Sequence, residues 1–201
     1  MQLNAQQSGS ALAPTCPLGK ALSYENPEVV SRFVQLYDVS SEEAADVFVE
    51  TKRWLWLASQ VESGALSITD PLLIIDEMWH NFVLFTLDYT RYCTDCFGRY
   101  IHHAPTTQRD KERRRKEFED DPVCAGQEHA SRLQRQCDLI AAKLGGATLL
   151  KWYVDYPARY DQAFFASGRK AVSPACSPPA SLQSLASLVR VGRVHIAALD
   201  R

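Results

Sequence analysis

The sequence predicts a mainly α-helical fold, a single-domain bundle of five or six helices with flexible N- and C-terminal segments. Apolar residues recur every three or four positions in several segments, as on the buried face of a helix. Helix-capping residues stand where some of these segments begin, and a composition of 46% hydrophobic and 23% charged residues is typical of globular proteins. A chain of 201 residues suits one domain. We expect a flexible leader over residues 1–22, a helical domain over 23–170, and a linker with a weakly amphipathic tail over 171–201.

The first two helices of the expected domain are marked by their N-terminal caps. Asn26 precedes Pro27, and proline is tolerated at the first helical position because an N–H there would have no partner within the helix. Ser40 is followed three residues later by Glu43, the pairing of a capping box. These signals predict a short helix after Asn26 and a longer one that begins at Ser40 and ends near Gly64.

The longer helix contains the apolar run "WLWL" at residues 54–57. Four consecutive apolar residues cannot all lie on one helix face, so some of them must contact more than one surface. Burial between two neighbouring helices accounts for this pattern. Binding of a partner protein to exposed side chains of Trp54 and Trp56 accounts for it as well, and both interpretations stay open.

A third region, from Ile75 to Phe97, is predicted to form one long helix that ends at Gly98, since glycine commonly terminates helices. The residues that follow, "RYIHHAP" at 99–105, are predicted to run back as an extended segment. Pro105 favours this conformation because proline disfavours helical backbone in the residue before it. We refer to residues 99–105 as the return segment.

The long helix carries two groups of chemically reactive side chains on different faces. At about 100° of rotation per residue, Asp76 and His80 share a polar sector, whereas Cys93 and Cys96 lie on the apolar side. A carboxylate next to an imidazole can orient a metal ligand or raise the basicity of the imidazole. An ordinary surface pair has the same spacing. In a straight helix His80 and Cys93 would lie about 20 Å apart along the axis, too far to share a metal.

A second candidate site combines Cys93 and Cys96 with the histidines of the return segment, His102 and His103. Two thiolates and two imidazoles are a ligand set that zinc accepts in tetrahedral geometry. Core packing would bury the same two cysteines, so structural thiols are the alternative. A redox role is disfavoured, because the helix dipole opposes a thiolate at the C-terminal end of a helix.

Charge and composition bear on partners and location. The formal net charge is −2, and the segment "TTQRDKERRRKEFEDDP" has six basic and six acidic residues, which is typical of a solvated helix rather than a nucleic-acid-binding one. No apolar run approaches the roughly 18 residues that span a bilayer, and the N-terminus lacks the pattern of a secretory signal. We expect no membrane association, a cytoplasmic location, and six cysteines that are thiols or ligands rather than disulfides.

The order Asp76-x-x-Trp79-His80, followed by Leu84, Tyr89 and Cys93, resembles the core motif of the glycine-rich domain-containing protein-like family, which includes bacterial members of unassigned function. The similarity covers about residues 73–105. The resemblance implies an α-helical module. It implies no particular reaction, because none is established for the family. The motif residues that the resemblance singles out are Asp76, Trp79, His80, Tyr89 and Cys93, with His102 and His103 in the return segment.

The leading functional hypothesis is a helical module that binds a divalent metal such as zinc, or a small polar ligand. Asp76 and His80 are the expected centre of this site, with Tyr89 as a further ligand-binding residue. His102 and His103 are expected as additional metal ligands, ahead of the two cysteines of the long helix.

Two other functions fit the same sequence. One is a non-enzymatic regulatory protein that binds a partner protein through Trp54 and Trp56. The other is an enzyme in which the Asp76–His80 pair acts as a general base, which requires a pocket beside it. The sequence identifies no catalytic residue.

Overall fold

The computed structural model describes residues 16–62 and 64–167. Within these ranges the protein is mainly α-helical and has no β-strand, so the predicted fold class is confirmed. The predicted tail over residues 171–201, and residues 1–15 of the predicted leader, lie outside the described residues.

The helices vary widely in length, and the predicted number of five or six is not confirmed. The α-helices are α1 (Leu18–Leu22), α2 (Pro27–Leu36), α3 (Ser41–Ser59), α4 (Leu73–Val83), α5 (Thr86–Phe97), α6 (Gln108–Asp120), α7 (Pro122–Leu144), α8 (Gly146–Leu150), α9 (Tyr156–Arg159) and α10 (Gln162–Ser167). A 3₁₀-helix (Asp70–Leu72) leads into α4, and a π-helix (Lys151–Asp155) connects α8 to α9.

Helix α3 lies at the centre and contacts α1, α2, α4 and α7. Its buried Phe48 meets Phe82 of α4 edge to face, with ring centroids 5.1 Å apart. Phe82 in turn lies 5.5 Å from the ring of Tyr92 in α5. Burial of each such aromatic side chain contributes about 1.5–3 kcal/mol, so this cluster holds three helices together.

Both predicted N-terminal caps form. The Asn26 side chain accepts hydrogen bonds from the backbone N–H groups of Glu28 and Val29 at the start of α2. At α3 the Ser40 hydroxyl accepts from the Glu43 N–H, and the Glu43 carboxylate accepts from the Ser40 N–H, at 3.1 and 2.9 Å. Helix α3 then ends at Ser59, five residues earlier than the predicted end at Gly64.

The predicted flexible leader extends too far along the chain. Residues 18–22 form α1, in which Ala21 is fully buried. The Cys16 N–H donates to the Cys96 carbonyl at 2.8 Å, and the Lys52 ammonium donates to the Leu22 carbonyl at 2.7 Å. These contacts join the segment to α5 and α3. They are long-range in sequence, which is why local composition did not predict them.

The predicted long helix is two helices, because the chain breaks at Leu84 and Phe85 between α4 and α5. The Trp79 indole N–H donates to the Tyr89 hydroxyl at 2.8 Å. In a straight helix these residues would be separated by about 15 Å along the axis. Folding α5 back on α4 lets both apolar faces enter the same core, and neither glycine nor proline marks the break.

The prediction of an exposed aromatic surface at Trp54 and Trp56 is wrong for Trp54. That side chain is only 2% exposed, and its ring lies 5.8 Å from that of Trp152 in the π-helix. Trp56 is half-buried, and its indole N–H donates to the Cys16 carbonyl at 2.9 Å. Burial between neighbouring elements therefore explains the "WLWL" pattern.

The charged helix α6 has no buried residue, in agreement with a solvated surface. Its ion pairs are internal, for example Arg113 with Asp110 at 3.0 Å and Arg115 with Glu119 at 3.3 Å. In the described part of the chain, no helix has both the length and the apolar character needed to cross a membrane.

Candidate metal centre

Helix α4 presents Asp76 and His80 on successive turns, as the four-residue spacing predicts. The Asp76 Oδ2 and His80 Nδ1 atoms are 3.6 Å apart. The His80 side chain is 51% exposed, whereas that of Asp76 is 20% exposed. The pair therefore lies at the rim of the folded core and is open to solvent on the His80 side.

His103, from the return segment, completes the group. Its Nε2 atom lies 2.9 Å from Asp76 Oδ1, and its side chain is 13% exposed. The His103 ring stacks against that of His80, with centroids 4.2 Å apart and an interplanar angle of 29°. It also contacts the Trp79 indole, with ring centroids 4.1 Å apart. The ring is thus held between two aromatic groups and one carboxylate.

The geometry of these three side chains fits a metal ion. One ligand atom from each of Asp76, His80 and His103 can be chosen so that all lie within 4.8 Å of one another. Two imidazoles with one carboxylate suit zinc and other divalent transition metals, and three protein ligands leave coordination positions for water or a substrate. Across residues 16–62 and 64–167, this is the one group of His, Cys, Asp or Glu with such convergence.

The position of His103 is set by contacts to Ile101. The Tyr89 hydroxyl accepts from the Trp79 indole and donates to the Ile101 carbonyl at 2.6 Å. The backbone of Ile101 also forms a hydrogen bond to the Cys93 thiol. Three motif residues on α4 and α5 therefore hold the backbone two residues before His103.

The predicted role of Tyr89 as a ligand-binding residue is corrected by its surroundings. Its side chain is fully buried, and its hydroxyl forms hydrogen bonds to the Trp79 indole and the Ile101 carbonyl. Burial raises the pKa of Tyr89 above its ordinary value, so the phenol keeps the proton that it donates to Ile101. Tyr89 is a positioning residue for the return segment.

Of the two adjacent histidines, His102 does not join the group. It is exposed, and its ring packs against Tyr100 with centroids 4.9 Å apart. Successive side chains of an extended segment point to opposite sides, so only one of the pair can face Asp76. The prediction of His102 as a metal ligand is not supported by this geometry.

The alternative set with Cys93 and Cys96 does not assemble. Cys93 is fully buried beside Tyr89 and Ile101, and Cys96 lies next to Cys16 as a free thiol. Burial and the hydrogen bond with Cys16 raise the pKa of Cys96 to about 12, which disfavours the thiolate that zinc would require. Both cysteines belong to the core face of α5, as the structural alternative predicts.

The three convergent side chains line one wall of an open cleft with a volume of about 1320 Å³. The 3₁₀-helix, α4 and the return segment form one side, and α6 and α7 contribute the other. A metal ion bound at Asp76 would therefore have room for an additional ligand. The polar side chains that α6 and α7 contribute to the lining include Lys111, Arg114, Glu117, Glu128, His129 and Arg132.

Comparison with known proteins relates the middle of the chain to an uncharacterised family. The family described as UCP032817-like matches residues 23–119, just under half of the chain. No curated protein and no solved structure matches. The resemblance to the glycine-rich domain-containing protein-like family stays a prediction, because nothing in this match links the chain to that family. The matched range runs from before α2 into α6 and contains all three convergent side chains, so over these residues the chain is similar to the UCP032817-like family.

Proposed function

We propose that this protein binds a divalent transition-metal ion through Asp76, His80 and His103. The observation that carries this proposal is the convergence of one carboxylate and two imidazoles from separate segments within 4.8 Å. A surface pair of Asp76 and His80 alone would be ordinary in an exposed helix. The half-buried His103 distinguishes this group from such a surface pair. Its orientation is fixed by Trp79 and by the hydrogen-bonded return segment, as in a preformed binding site.

The ligand set favours zinc, and it also suits iron or manganese in the divalent state. Zinc is commonly bound by two histidines and one carboxylate with a fourth position open, and the same three donors form facial iron sites. Metal binding would replace the 2.9 Å contact between His103 and Asp76 with two coordination bonds. It would also release protons, since imidazole ligands must be unprotonated.

An open coordination position would face the cleft, where a small polar ligand can bind beside the ion. The opposite wall contains both basic and acidic side chains, such as Arg114 and Glu117. We therefore extend the proposal to a module in which the ion and the polar lining together hold a small polar ligand.

We also propose that the described helices form one single-domain bundle related to the glycine-rich domain-containing protein-like family. The proposal is supported because the residues that carry the resemblance all contribute to the candidate metal site or to its positioning. They are Asp76, Trp79, His80, Tyr89 and Cys93. Asp76 and His80 are the donors, and the other three hold the return segment that supplies His103.

Titration calorimetry of the metal-stripped full chain with Zn²⁺, and with Co²⁺ as a spectroscopic substitute, tests the metal site. We expect one ion per chain and a loss of affinity of about 100-fold or more in His103→Ala and His80→Ala, because even outer-shell changes cost 10–100-fold. His102→Ala is the matched control, since it removes the adjacent, exposed imidazole and should leave affinity unchanged.

Folding of each variant is checked by circular dichroism, so that loss of structure is not mistaken for loss of a ligand. Wild-type protein that is folded and takes up no metal would refute the proposal. So would an affinity that falls in His102→Ala as much as it falls in His103→Ala.

A further inference from the structure

Two cysteines that are 80 positions apart in the chain lie next to each other in the fold. Cys16 precedes α1, and Cys96 is in the last turn of α5. The Cys16 N–H donates to the Cys96 carbonyl at 2.8 Å. Bond lengths on either side of this contact limit the two Cα atoms to about 6.7 Å at most, and disulfides usually join Cα atoms about 4.4–6.8 Å apart.

The segment that carries Cys16 is held against the core by further contacts. The Cys16 carbonyl accepts a hydrogen bond from the Trp56 indole at 2.9 Å. Four residues later, the Lys20 ammonium donates to the Asp95 carbonyl at 3.3 Å. The backbone of Cys16 is thus fixed on both its N–H and its carbonyl side. A covalent bond to Cys96 therefore demands little rearrangement of the chain.

The two thiols interact directly and differ in exposure. The Cys16 side chain contributes to the raised pKa of Cys96, as expected for two neighbouring thiols. Cys16 is partly exposed, whereas Cys96 is 7% exposed. An oxidant from solvent therefore reaches Cys16 first, and the thiol of Cys96 is already in place to react with an oxidised Cys16.

We propose that Cys16 and Cys96 form a reversible intramolecular disulfide when the protein meets a peroxide. The Cys16 thiolate attacks one peroxide oxygen, the O–O bond breaks, and Cys16 becomes a sulfenic acid while hydroxide leaves. The Cys96 sulfur then attacks the Cys16 sulfur, and hydroxide leaves from that sulfur and takes up the Cys96 proton as water. Overall, two thiols and one hydrogen peroxide give one disulfide and two waters.

The other described cysteines are placed less favourably. Cys93 is fully buried and is hydrogen-bonded to Tyr89 and to the Ile101 backbone. It also lies one helical turn from Cys96 on α5, a spacing within disulfide range, so a Cys93–Cys96 bond is the competing product. Cys124 and Cys137 are on α7 and are not paired with either member.

Peptide mapping by mass spectrometry under non-reducing conditions tests this pairing. The reduced full chain is treated with one equivalent of hydrogen peroxide, quenched by alkylation and digested. We expect a cross-linked pair of peptides containing Cys16 and Cys96, with the mass of two lost hydrogens, that disappears after dithiothreitol treatment. Cys16→Ser should abolish this species. Cys137→Ser, which removes another partly exposed thiol, is the matched control and should retain it.

Cys96→Ser replaces a buried residue and can fail to fold, so the conclusion rests on Cys16→Ser and on the cross-linked peptide itself. The proposal is overturned if peroxide leaves both thiols free for alkylation in folded protein. It is equally overturned if Cys16 ends as a sulfinic or sulfonic acid without a cross-link, or if other cysteine pairs dominate. The outcome does not depend on metal binding, because the assay is run on metal-stripped protein.

Discussion

Ile101 contributes no chemistry of its own, yet its backbone decides where the third donor of the candidate site lies. The Trp79 indole N–H donates a hydrogen bond to the Tyr89 hydroxyl, and that hydroxyl donates one to the Ile101 carbonyl. The Ile101 side chain is itself buried. Because the backbone is fixed at this residue, His103 reaches Asp76 with a half-buried ring rather than as a free side chain.

Tyr89→Phe tests this positioning role. Loss of the hydroxyl leaves the Trp79 indole N–H and the Ile101 carbonyl without their buried partner, so the free energy of unfolding should fall by about 1–3 kcal/mol. The affinity for Zn²⁺ should also fall by about tenfold or more, because the return segment is then less well held. Urea unfolding and titration calorimetry measure the two effects.

Tyr100→Phe is the matched control for that change. Tyr100 contacts the Tyr89 ring at 5.1 Å and is 36% exposed. Loss of its hydroxyl should alter stability by no more than about 0.5 kcal/mol. Equal effects of the two substitutions would contradict the assigned role of Tyr89.

Lys52 gives the protein a measurable pH dependence. Burial lowers the pKa of this ammonium from 10.5 to about 8, although it donates to the Leu22 and Tyr24 carbonyls. Below pH 8 both the folded and the unfolded chain carry the proton, so the full cost of the buried charge is present. As the pH rises from 8 towards 10.5, the folded chain loses the proton while the unfolded chain keeps it, and the folded state gains stability.

Urea unfolding at pH 7.0 and 9.5 measures this effect. The wild type should gain about 1–2 kcal/mol relative to Lys52→Met between the two pH values. Comparison with the variant cancels the titration of the tyrosines, which both proteins share. Lys143→Met, which removes an exposed lysine from α7, should follow the wild type. A constant difference between wild type and Lys52→Met would contradict the lowered pKa.

At the scale of elements, the break between α4 and α5 is the feature on which the site depends. A continuous helix would have separated Trp79 from Tyr89 and left the return segment without an anchor. The break exposes Leu84 and Leu87, which are 63% and 61% exposed, while Phe82 and Tyr89 become fully buried. No glycine or proline requires the chain to bend at this point. The bend forms because the aromatic faces of α4 and α5 pack against each other.

The π-helix is attached to α3 by charged side chains. The Lys151 ammonium contacts Asp46 at 2.6 Å and Glu50 at 3.0 Å, and the Trp152 indole donates to Glu50 at 2.9 Å. Burial alone would lower the pKa of Lys151, but its hydrogen bonds to the two carboxylates outweigh burial and raise the pKa. The ammonium is therefore charged at neutral pH and compensates the buried carboxylate of Glu50.

Lys151→Met should lower the free energy of unfolding by about 1–3 kcal/mol, because it leaves the Glu50 carboxylate without its main counter-ion. The expected loss is below that for a fully enclosed pair, since the Lys151 side chain is 29% exposed. In the double variant Glu50→Gln with Lys151→Met, the loss should be smaller than the sum of the single losses. Additive losses in urea unfolding would argue against direct coupling.

At the scale of the whole molecule, the cleft lies between α4 with the return segment and the pair α6 and α7. The candidate donors line the wall that belongs to the core, and the opposite wall is strongly charged and solvated. A metal ion bound to these donors would be accessible to exchangeable ligands, as in open rather than closed metal sites.

Metal binding should therefore stabilise the whole fold. At a free Zn²⁺ concentration 100 times the dissociation constant, the gain should be about 2.7 kcal/mol, provided that the unfolded chain does not bind the ion. The gain should shrink as the pH falls, because protons compete with the metal for the two imidazoles. Thermal unfolding with Zn²⁺ and with excess chelator measures the gain, and His80→Ala should abolish it while His102→Ala retains it.

The sequence by itself determined the helical class, the caps at Asn26 and Ser40, and the proximity of Asp76 to His80. Each of these depends on residues within about four positions of one another, where helical geometry alone decides which side chains meet. The motif around Trp79 and Tyr89 also located the region of the candidate site, although not the role of each residue.

Only the tertiary structure decided that the helix breaks after α4, that His103 rather than His102 faces Asp76, and that Cys16 meets Cys96. These outcomes depend on contacts between residues that are distant in the chain, and local spacing carries no information about them. Adjacent side chains of the return segment point to opposite sides, so the choice between two identical imidazoles was made by the contacts that hold Ile101.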